Sequence, residues 1–481
     1  MCKGRVCCMK NKGFRVVAWL FLWGISLFLT SGKVYGEMPT MMELMEQSEY
    51  TVSPSDQPKS AILIDANTGH VLWEDKSENT HNPASIMKLM AIYLTYEAME
   101  QGKFNKETMV TATERHAKIA QIYAISNNNI QAGVSYPVKE LIPMALVPSS
   151  NIATMMLAEL VEPNAVAFLE KMNAKAREMG MTNTHIVNAT GAEISAFQGL
   201  YAMDGVDQTS LDQEGSNVTT AKDFAIFTYH LLKNYPDILT YTKDPKVTVM
   251  KGTPYEETFD TYNYSLPGLE YDYPGVDGLK TGSSPSGAFN IDMTAEQNGL
   301  RLIAVVFGVG DWSDQTGEYK RHPFSNAILD YGFTHFSYTK VLDKGEQELN
   351  ETPVILEEDA YAVIKDKQHP TLTVSDEGLL NIDNSLDVVS PTVSTPSIKV
   401  LDNKGRDMAL TLDKQNEKKS RLKTMGNSIL DHELDFNRPM VKYTAIALLV
   451  VVVLLLLLII VLANQNRKRK KAREKRGKSL R

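Results

Sequence analysis

His81-Asn82-Pro83-Ala84-Ser85-Ile86-Met87-Lys88-Leu89-Met90 opens a run that continues through Ile92-Tyr93-Leu94 to Gln101-Gly102. A proline just ahead of consecutive helix formers and a glycine just past them predict a helix with Ser85 in its first turn. That helix is apolar nearly all round, so it belongs at a domain centre rather than on a surface. It would carry a hydroxyl and, three residues later, an ammonium into the interior, and lysine is seldom buried without a partner or a task. The i to i+3 spacing puts Ser85 and Lys88 on one face, close enough for the amine to take the hydroxyl proton. The positive field of the helix N-terminus favours the alkoxide and depresses the lysine pKa.

Outward from this helix the chain reads as α+β. Ala61 to Asp65 and Val71 to Glu74 flank Asn67-Thr68-Gly69 and predict a hairpin. Two helical patterns, Val138 to Leu146 and Ile152 to Val161, are separated by Pro148-Ser149-Ser150-Asn151, which puts Ser149 and Asn151 on a tight loop between buried helices. A further helix runs from Pro163 to Met179 and stops at Gly180, and another starts at a capping box, Thr220 with Asp223, and runs to about Lys233. Gly191 to Asn217, rich in Gly, Asp, Gln and Ser with little periodicity, reads as a long surface loop. Strands follow at Gly278 to Ser283, Gly287 to Ala295 and, after an Asn298-Gly299 turn, Leu300 to Gly310. A helix at His322 to Tyr331 closes the unit. Helices in the middle and strands at both ends suggest one sheet that joins the first hairpin to the last strands.

The two ends of the chain differ from the rest. Residues 1–36 carry six Lys/Arg and no acid, residues 464–481 carry ten Lys/Arg and one Glu, and against a formal net charge of −8 the stretch between them carries −23. No nucleic-acid partner is expected for that acidic stretch. Residues 1–36 read as a signal peptide, with an uncleaved anchor as the alternative. They hold all three cysteines, Cys2, Cys7 and Cys8, so neither disulfides nor cysteine chemistry is expected in the mature chain. Residues 51–335 form the main domain, and 336–434, with short alternating segments such as Tyr361 to Ile364, Thr371 to Val374 and Ile398 to Leu401, form a small β-rich domain. A stalk at 435–443 leads to Thr444–Ala463, twenty residues without a charge and long enough to span a bilayer as a helix. The basic tail at 464–481 would then be cytoplasmic and the large domain extracellular, on the cell-wall side.

Three motifs stand in order: Ser85-Ile86-Met87-Lys88, Ser149-Ser150-Asn151 and Lys280-Thr281-Gly282. This set is shared by class A β-lactamases and penicillin-binding proteins. The wider text resembles the serine D-alanyl-D-alanine carboxypeptidases, the low-molecular-mass penicillin-binding proteins of peptidase family S11. The likeness is densest at Pro83-Ala84-Ser85-x-x-Lys88-Leu89-Met90, at Met172-Asn173 with Met179-Gly180-Met181-x-x-Thr184, and at Gly275-Val276-Asp277-Gly278-Leu279-Lys280-Thr281-Gly282. It implies a β-lactamase/transpeptidase-like catalytic domain, a sheet with a helical cluster, followed by a small all-β domain and a C-terminal transmembrane helix.

The resemblance also implies roles. Ser85 attacks, Lys88 accepts its proton, and Ser149 relays a proton to the departing D-alanine. Asn151 orients the substrate amide, and Lys280 and Thr281 hold the terminal carboxylate. The backbone N–H groups of Ser85 and Ser283 would form the oxyanion hole, and Gly282 would keep the strand bare where the ligand approaches. The partners implied are peptidoglycan pentapeptide stems ending in D-Ala-D-Ala and β-lactam antibiotics as covalent inhibitors, with no cofactor and no metal. The chain departs from the family pattern at Ser150, Ile152, Ser284 and Ser286-Gly287-Ala288-Phe289, and its loop from Ala192 to Ser216 is longer than in many members. A serine β-lactamase would add a Glu-x-x-Leu-Asn segment, and none stands between Asn151 and Lys280. The other alternative is a non-catalytic wall-binding protein on the same fold.

Overall fold

The computed structural model describes residues 38–350, 352–393 and 397–401. The signal peptide, the stalk, the transmembrane segment and the basic tail expected above lie outside the described residues.

At the centre stands a five-stranded antiparallel sheet in the order β2-β1-β5-β4-β3, made of β1 (Ser60–Asp65), β2 (Val71–Asp75), β3 (Val276–Ser284), β4 (Ala288–Gln297) and β5 (Leu300–Val309). The expected joining of first hairpin to last strands is what forms: Ser60 pairs with Phe307 and Asp65 with Leu302. Between β4 and β5 both Asn298 (φ 52°) and Gly299 (φ 81°) take the left-handed conformation that a two-residue hairpin turn requires.

Side chains alternate across the sheet. Ile62, Ile64, Ile303, Val305 and Phe307 join the core beneath a helical cluster, whereas Ala61, Leu63, Leu302, Ala304 and Val306 join a second core on the opposite face. The cluster contains α2 (Lys88–Glu100), α3 (Val138–Leu146), α4 (Asn151–Val161), α5 (Ala165–Met179) and α6 (Ala221–Asn234). The opposite face is covered by α1 (Met41–Gln47) and α7 (Gly317–His335). As the lack of any polar stripe implied, α2 is buried on nearly all sides, from Lys88 through Tyr96.

Several local expectations are corrected. The main domain begins ahead of the expected residue 51, because Thr40 and Glu43 form a complete capping box and start α1, whose Met41, Leu44 and Met45 are buried. At α6 only half of the expected box forms. Thr220 caps Asp223 N–H, but the Asp223 carboxylate accepts from Asn183 N–H and Thr184 Oγ1, both members of the neighbouring segment. Helix α7 is longer than the expected His322 to Tyr331: it starts five residues before His322, runs on to His335 and keeps Pro323 in its interior. The stretch from Gly191 to Asn217 is not a surface loop throughout: Ile194, Phe197, Tyr201, Ala202 and Leu211 are buried in the main core at intervals that match neither helix nor strand.

Beyond α7 the described residues form only strands and their connections: β6 (Phe336–Leu342) pairs with β9 (Ala360–Lys365), and β7 (Gly345–Leu349), β8 (Thr352–Leu356), β10 (Thr371–Val374), β11 (Leu379–Asp383) and β12 (Ile398–Leu401) form a second sheet. One part of this C-terminal unit belongs physically to the first. Val71 N–H donates to Asp387 O at 2.8 Å, Val389 N–H donates to Gly69 O at 2.9 Å, and Val389 and Val393 are buried in the main core. Gly69 (φ +73°) is where a side chain could not be accommodated, since a Cβ there would sit 2.2 Å from Val393 Cγ1.

Candidate active site

A 3₁₀ turn, Ala84–Met87, runs directly into α2, so Ser85 sits at the mouth of the helix and Lys88 is its first α-helical residue. Lys88 is fully buried, and its Nζ donates to Ser85 Oγ at 2.8 Å and to the Thr190 carbonyl at 2.7 Å. Burial, and then the charge of Lys280, hold the Lys88 pKa well below its ordinary value. An amine of lowered proton affinity next to a hydroxyl at a helix start is placed to act as a general base toward a nucleophile.

The turn is held from two sides by backbone. Gly282 on β3 passes so close that a Cβ there would lie 2.5 Å from Pro83 O and 2.9 Å from Ile86 N. Its bareness is therefore demanded by the Ser85 turn, a correction to the expectation that an approaching ligand demands it. Gly191 (φ +87°) presses from the other side, where a Cβ would sit 2.0 Å from Ala84 O. Asn82 ties the turn to the sheet: its Oδ1 accepts from Ala84 N–H at 2.9 Å, its carbonyl accepts from Asn290 Nδ2 at 3.0 Å, and its Nδ2 donates to Ser286 Oγ at 2.8 Å.

Ser149 lies in the break between α3 and α4 with φ +61°, and its buried Oγ has no hydrogen-bond partner among the described residues. Asn151 is the first residue of α4 rather than a loop residue. Its Nδ2 donates to Ser126 O at 2.8 Å, leaving Oδ1 unpaired. Ser150, between them, is turned away: its Oγ caps α4 by accepting from Ala153 N–H at 3.2 Å and donates to Asn128 Oδ1 at 2.6 Å. The departure from the family pattern at this position thus has a structural use.

On β3, Lys280 is buried and donates to Thr281 O at 2.8 Å. Burial and then the charge of Arg321 bring its pKa down to about 7. Arg321 reaches the same strand from α7, donating from Nη1 to Ser283 Oγ at 3.0 Å. It is fully buried, and burial lowers its pKa to about 10. Thr281 is buried beside Lys280. Lys88, Lys280 and Arg321 therefore border one site, where the Arg321 charge lowers the proton affinity of Lys280 and the Lys280 charge lowers that of Lys88. Such a site is built to receive an anion.

Sequence reasoning missed Arg321, which carries no local signature, and missed the Thr190-Gly191 backbone, since a carbonyl acceptor leaves no mark in residue type.

A family model described as D-alanyl-D-alanine carboxypeptidase, Peptidase S11, matches residues 47–311, more than half of the chain. The chain belongs to the peptidase S11 family. A second model, a domain of unknown function (DUF1958), matches residues 338–401, the C-terminal β unit. Among curated S11 relatives, D-alanyl-D-alanine carboxypeptidase DacF of Bacillus subtilis (strain 168) is 29% identical over 293 residues, covering 60% of this chain and 66% of the relative. DacA of Escherichia coli (strain K12) is 26% identical over 296 residues, covering 61% and 65%. The chain thus spans about 65% of the length of these relatives. The crystal structure of a peptidoglycan synthesis regulatory factor (PBP3) from Streptococcus pneumoniae superposes with TM-score 0.61 at 27% identity, covering 73% of this chain and 98% of that one. Penicillin binding protein 5 from Haemophilus influenzae shares the fold, with TM-score 0.54 at 22% identity, covering 73% and 99%.

Proposed function

We propose that this S11 protein is a serine-type D-Ala-D-Ala carboxypeptidase that removes the terminal D-alanine from peptidoglycan stem peptides and is acylated by β-lactams. The observation that carries the reading is the 2.8 Å contact between Ser85 Oγ and the buried Lys88, whose proton affinity burial lowers. As Ser85 Oγ attacks the penultimate D-alanine carbonyl, its proton passes to Lys88 and the Oγ–C bond forms. Backbone N–H groups of Ser85 and Ser283 receive the developing oxyanion. The C–N bond then breaks, the leaving amine takes a proton through Ser149, and free D-alanine departs. Water then attacks the ester and restores Ser85.

Lys280 and Thr281 hold the substrate's free carboxylate, with the Arg321 charge close behind, which restricts the enzyme to a chain end. Asn151, with its unpaired Oδ1, orients the peptide amide. We place the enzyme on the outer face of the cell membrane, anchored by residues 444–463, on the strength of that uncharged run and the basic residues after it.

The test is release of D-alanine from a diacylated Lys-D-Ala-D-Ala tripeptide by the full chain. Release by wild type and none by Ser85→Ala supports the reading; fast penicillin hydrolysis without D-alanine release supports a β-lactamase instead.

A further inference from the structure

Lys88 depends on an acceptor outside the three motifs, the Thr190 carbonyl at 2.7 Å. The peptide that carries this carbonyl, Thr190-Gly191, is held by Asn188 Oδ1, which accepts from Gly191 N–H at 2.7 Å, and the Asn188-Ala189 peptide earlier in the same turn is held from behind. Ala189 N–H donates to the phenolic oxygen of Tyr201 at 2.8 Å, and Tyr201 is buried against Phe197, ring centroids 5.1 Å apart. Tyr201 is in turn pinned by its own backbone: Arg115 Nη1 donates to Leu200 O at 2.6 Å and lies 3.4 Å from Tyr201 O. Arg115 is oriented by an ion pair with Glu159, whose other carboxylate oxygen accepts from His116 Nε2 at 2.9 Å. Glu159 stands on α4, two turns beyond Asn151. A mostly buried relay of side chains therefore connects the helix of the second motif to the acceptor that aims the base of the first.

Resting on the carboxypeptidase reading, we propose that Tyr201, braced by Arg115 and Glu159, is a positioning residue for Lys88. It fixes the Asn188-Ala189 peptide, and with it the turn whose Thr190 carbonyl holds the amine on line with Ser85 Oγ. A second brace on the same turn, Asn217 Oδ1 accepting from Val187 and Asn188 N–H at 2.8 and 3.0 Å, fixes the chain ahead of Ala189, so that Tyr201 acts on the peptide between that brace and Thr190. The chemistry assigns the effect to the rate step. Substrate carboxylate binding at Lys280 touches none of these groups, while a sub-ångström shift of a base is worth one to two orders of magnitude in rate.

The test uses the full chain and follows acylation by a fluorescent penicillin across pH, together with kcat and KM on the tripeptide. Tyr201→Phe keeps the ring and deletes the acceptor. The expected result is about a tenfold lower plateau rate, carried by kcat with KM unchanged. The acid limb should also move to lower pH, because the Lys88 ammonium loses a carbonyl partner while still facing the Lys280 charge from the sheet. Arg115→Lys, which keeps a charge for Glu159 but cannot fork to the carbonyls, should fall between wild type and Arg115→Ala. A Tyr201→Phe protein with wild-type kcat and an unmoved limb overturns the proposal, and so does a loss seen only in KM or only in thermal stability. A wild-type chain that takes up no penicillin and releases no D-alanine overturns the functional reading itself.

Discussion

Gly191 lies against the carbonyl of Ala84 so closely that a methyl group on it would sit 2.0 Å from that oxygen. The residue before it, Thr190, supplies the carbonyl acceptor of Lys88. One turn therefore sets both the position of the Ser85 loop and the aim of its base. Gly191→Ala also meets an unfavourable φ of +87°. We expect it to lower the rate of penicillin acylation by at least ~100-fold, measured by stopped-flow labelling on protein whose circular dichroism matches wild type. Acylation within a few-fold of wild type would mean the turn is free to move.

The Lys280 charge lowers the proton affinity of Lys88. Since the Lys280 charge is a cause of the low Lys88 pKa, Lys280→Ala should raise the proton affinity of Lys88. A base must be unprotonated to act, so the acid limb of acylation against pH should move upward as the plateau falls. A limb that stays put would separate the two lysines electrostatically.

The lowered Lys280 pKa gives a second pH effect with the opposite sign. With a pKa of about 7, Lys280 in the free protein is charged below neutrality and neutral above it. Its attraction for a carboxylate should weaken as pH rises through 7, so KM for the tripeptide should climb by up to about tenfold per pH unit there. Amidating the terminal D-alanine should flatten this dependence, and a KM that is level from pH 6 to 9 would contradict the assignment.

Val389, though distant in sequence, packs in the main core beside the first hairpin. Val389→Ala should therefore destabilise the catalytic unit by roughly 2 kcal/mol and lower its Tm, read by calorimetry and by loss of penicillin labelling on heating. If labelling persists to the wild-type temperature, the contact is dispensable.

Much of the fold was legible because it rests on local periodicity. The short apolar runs of β1 and β5, the Asn298-Gly299 turn and the all-apolar α2 are patterns of neighbouring residues. Ser85, Lys88, Ser149, Asn151, Lys280 and Thr281 were readable as motif members for the same reason. What stayed hidden was contact between distant parts of the chain. Arg321 meets Ser283 across 38 residues, and Thr190 meets Lys88 across 102 through a carbonyl that every residue possesses. The Gly191–Asn217 stretch looked solvated because its buried anchors, Ile194, Phe197, Tyr201 and Leu211, follow no period. Gly282 was visible, but the Pro83 and Ile86 backbone that makes it necessary was not.

The central claim, a Ser85 nucleophile served by Lys88 without a dedicated carboxylate base for deacylation, is tested most directly by intact-protein mass spectrometry after brief exposure to benzylpenicillin. In the penicilloyl ester the opened β-lactam keeps its leaving group tethered where the hydrolytic water must sit, so the ester should persist. The account predicts a long-lived adduct on wild type, none on Ser85→Ala, and formation slowed by at least ~100-fold in Lys88→Ala. An adduct on another residue, or one lost by hydrolysis as fast as it forms, would contradict it.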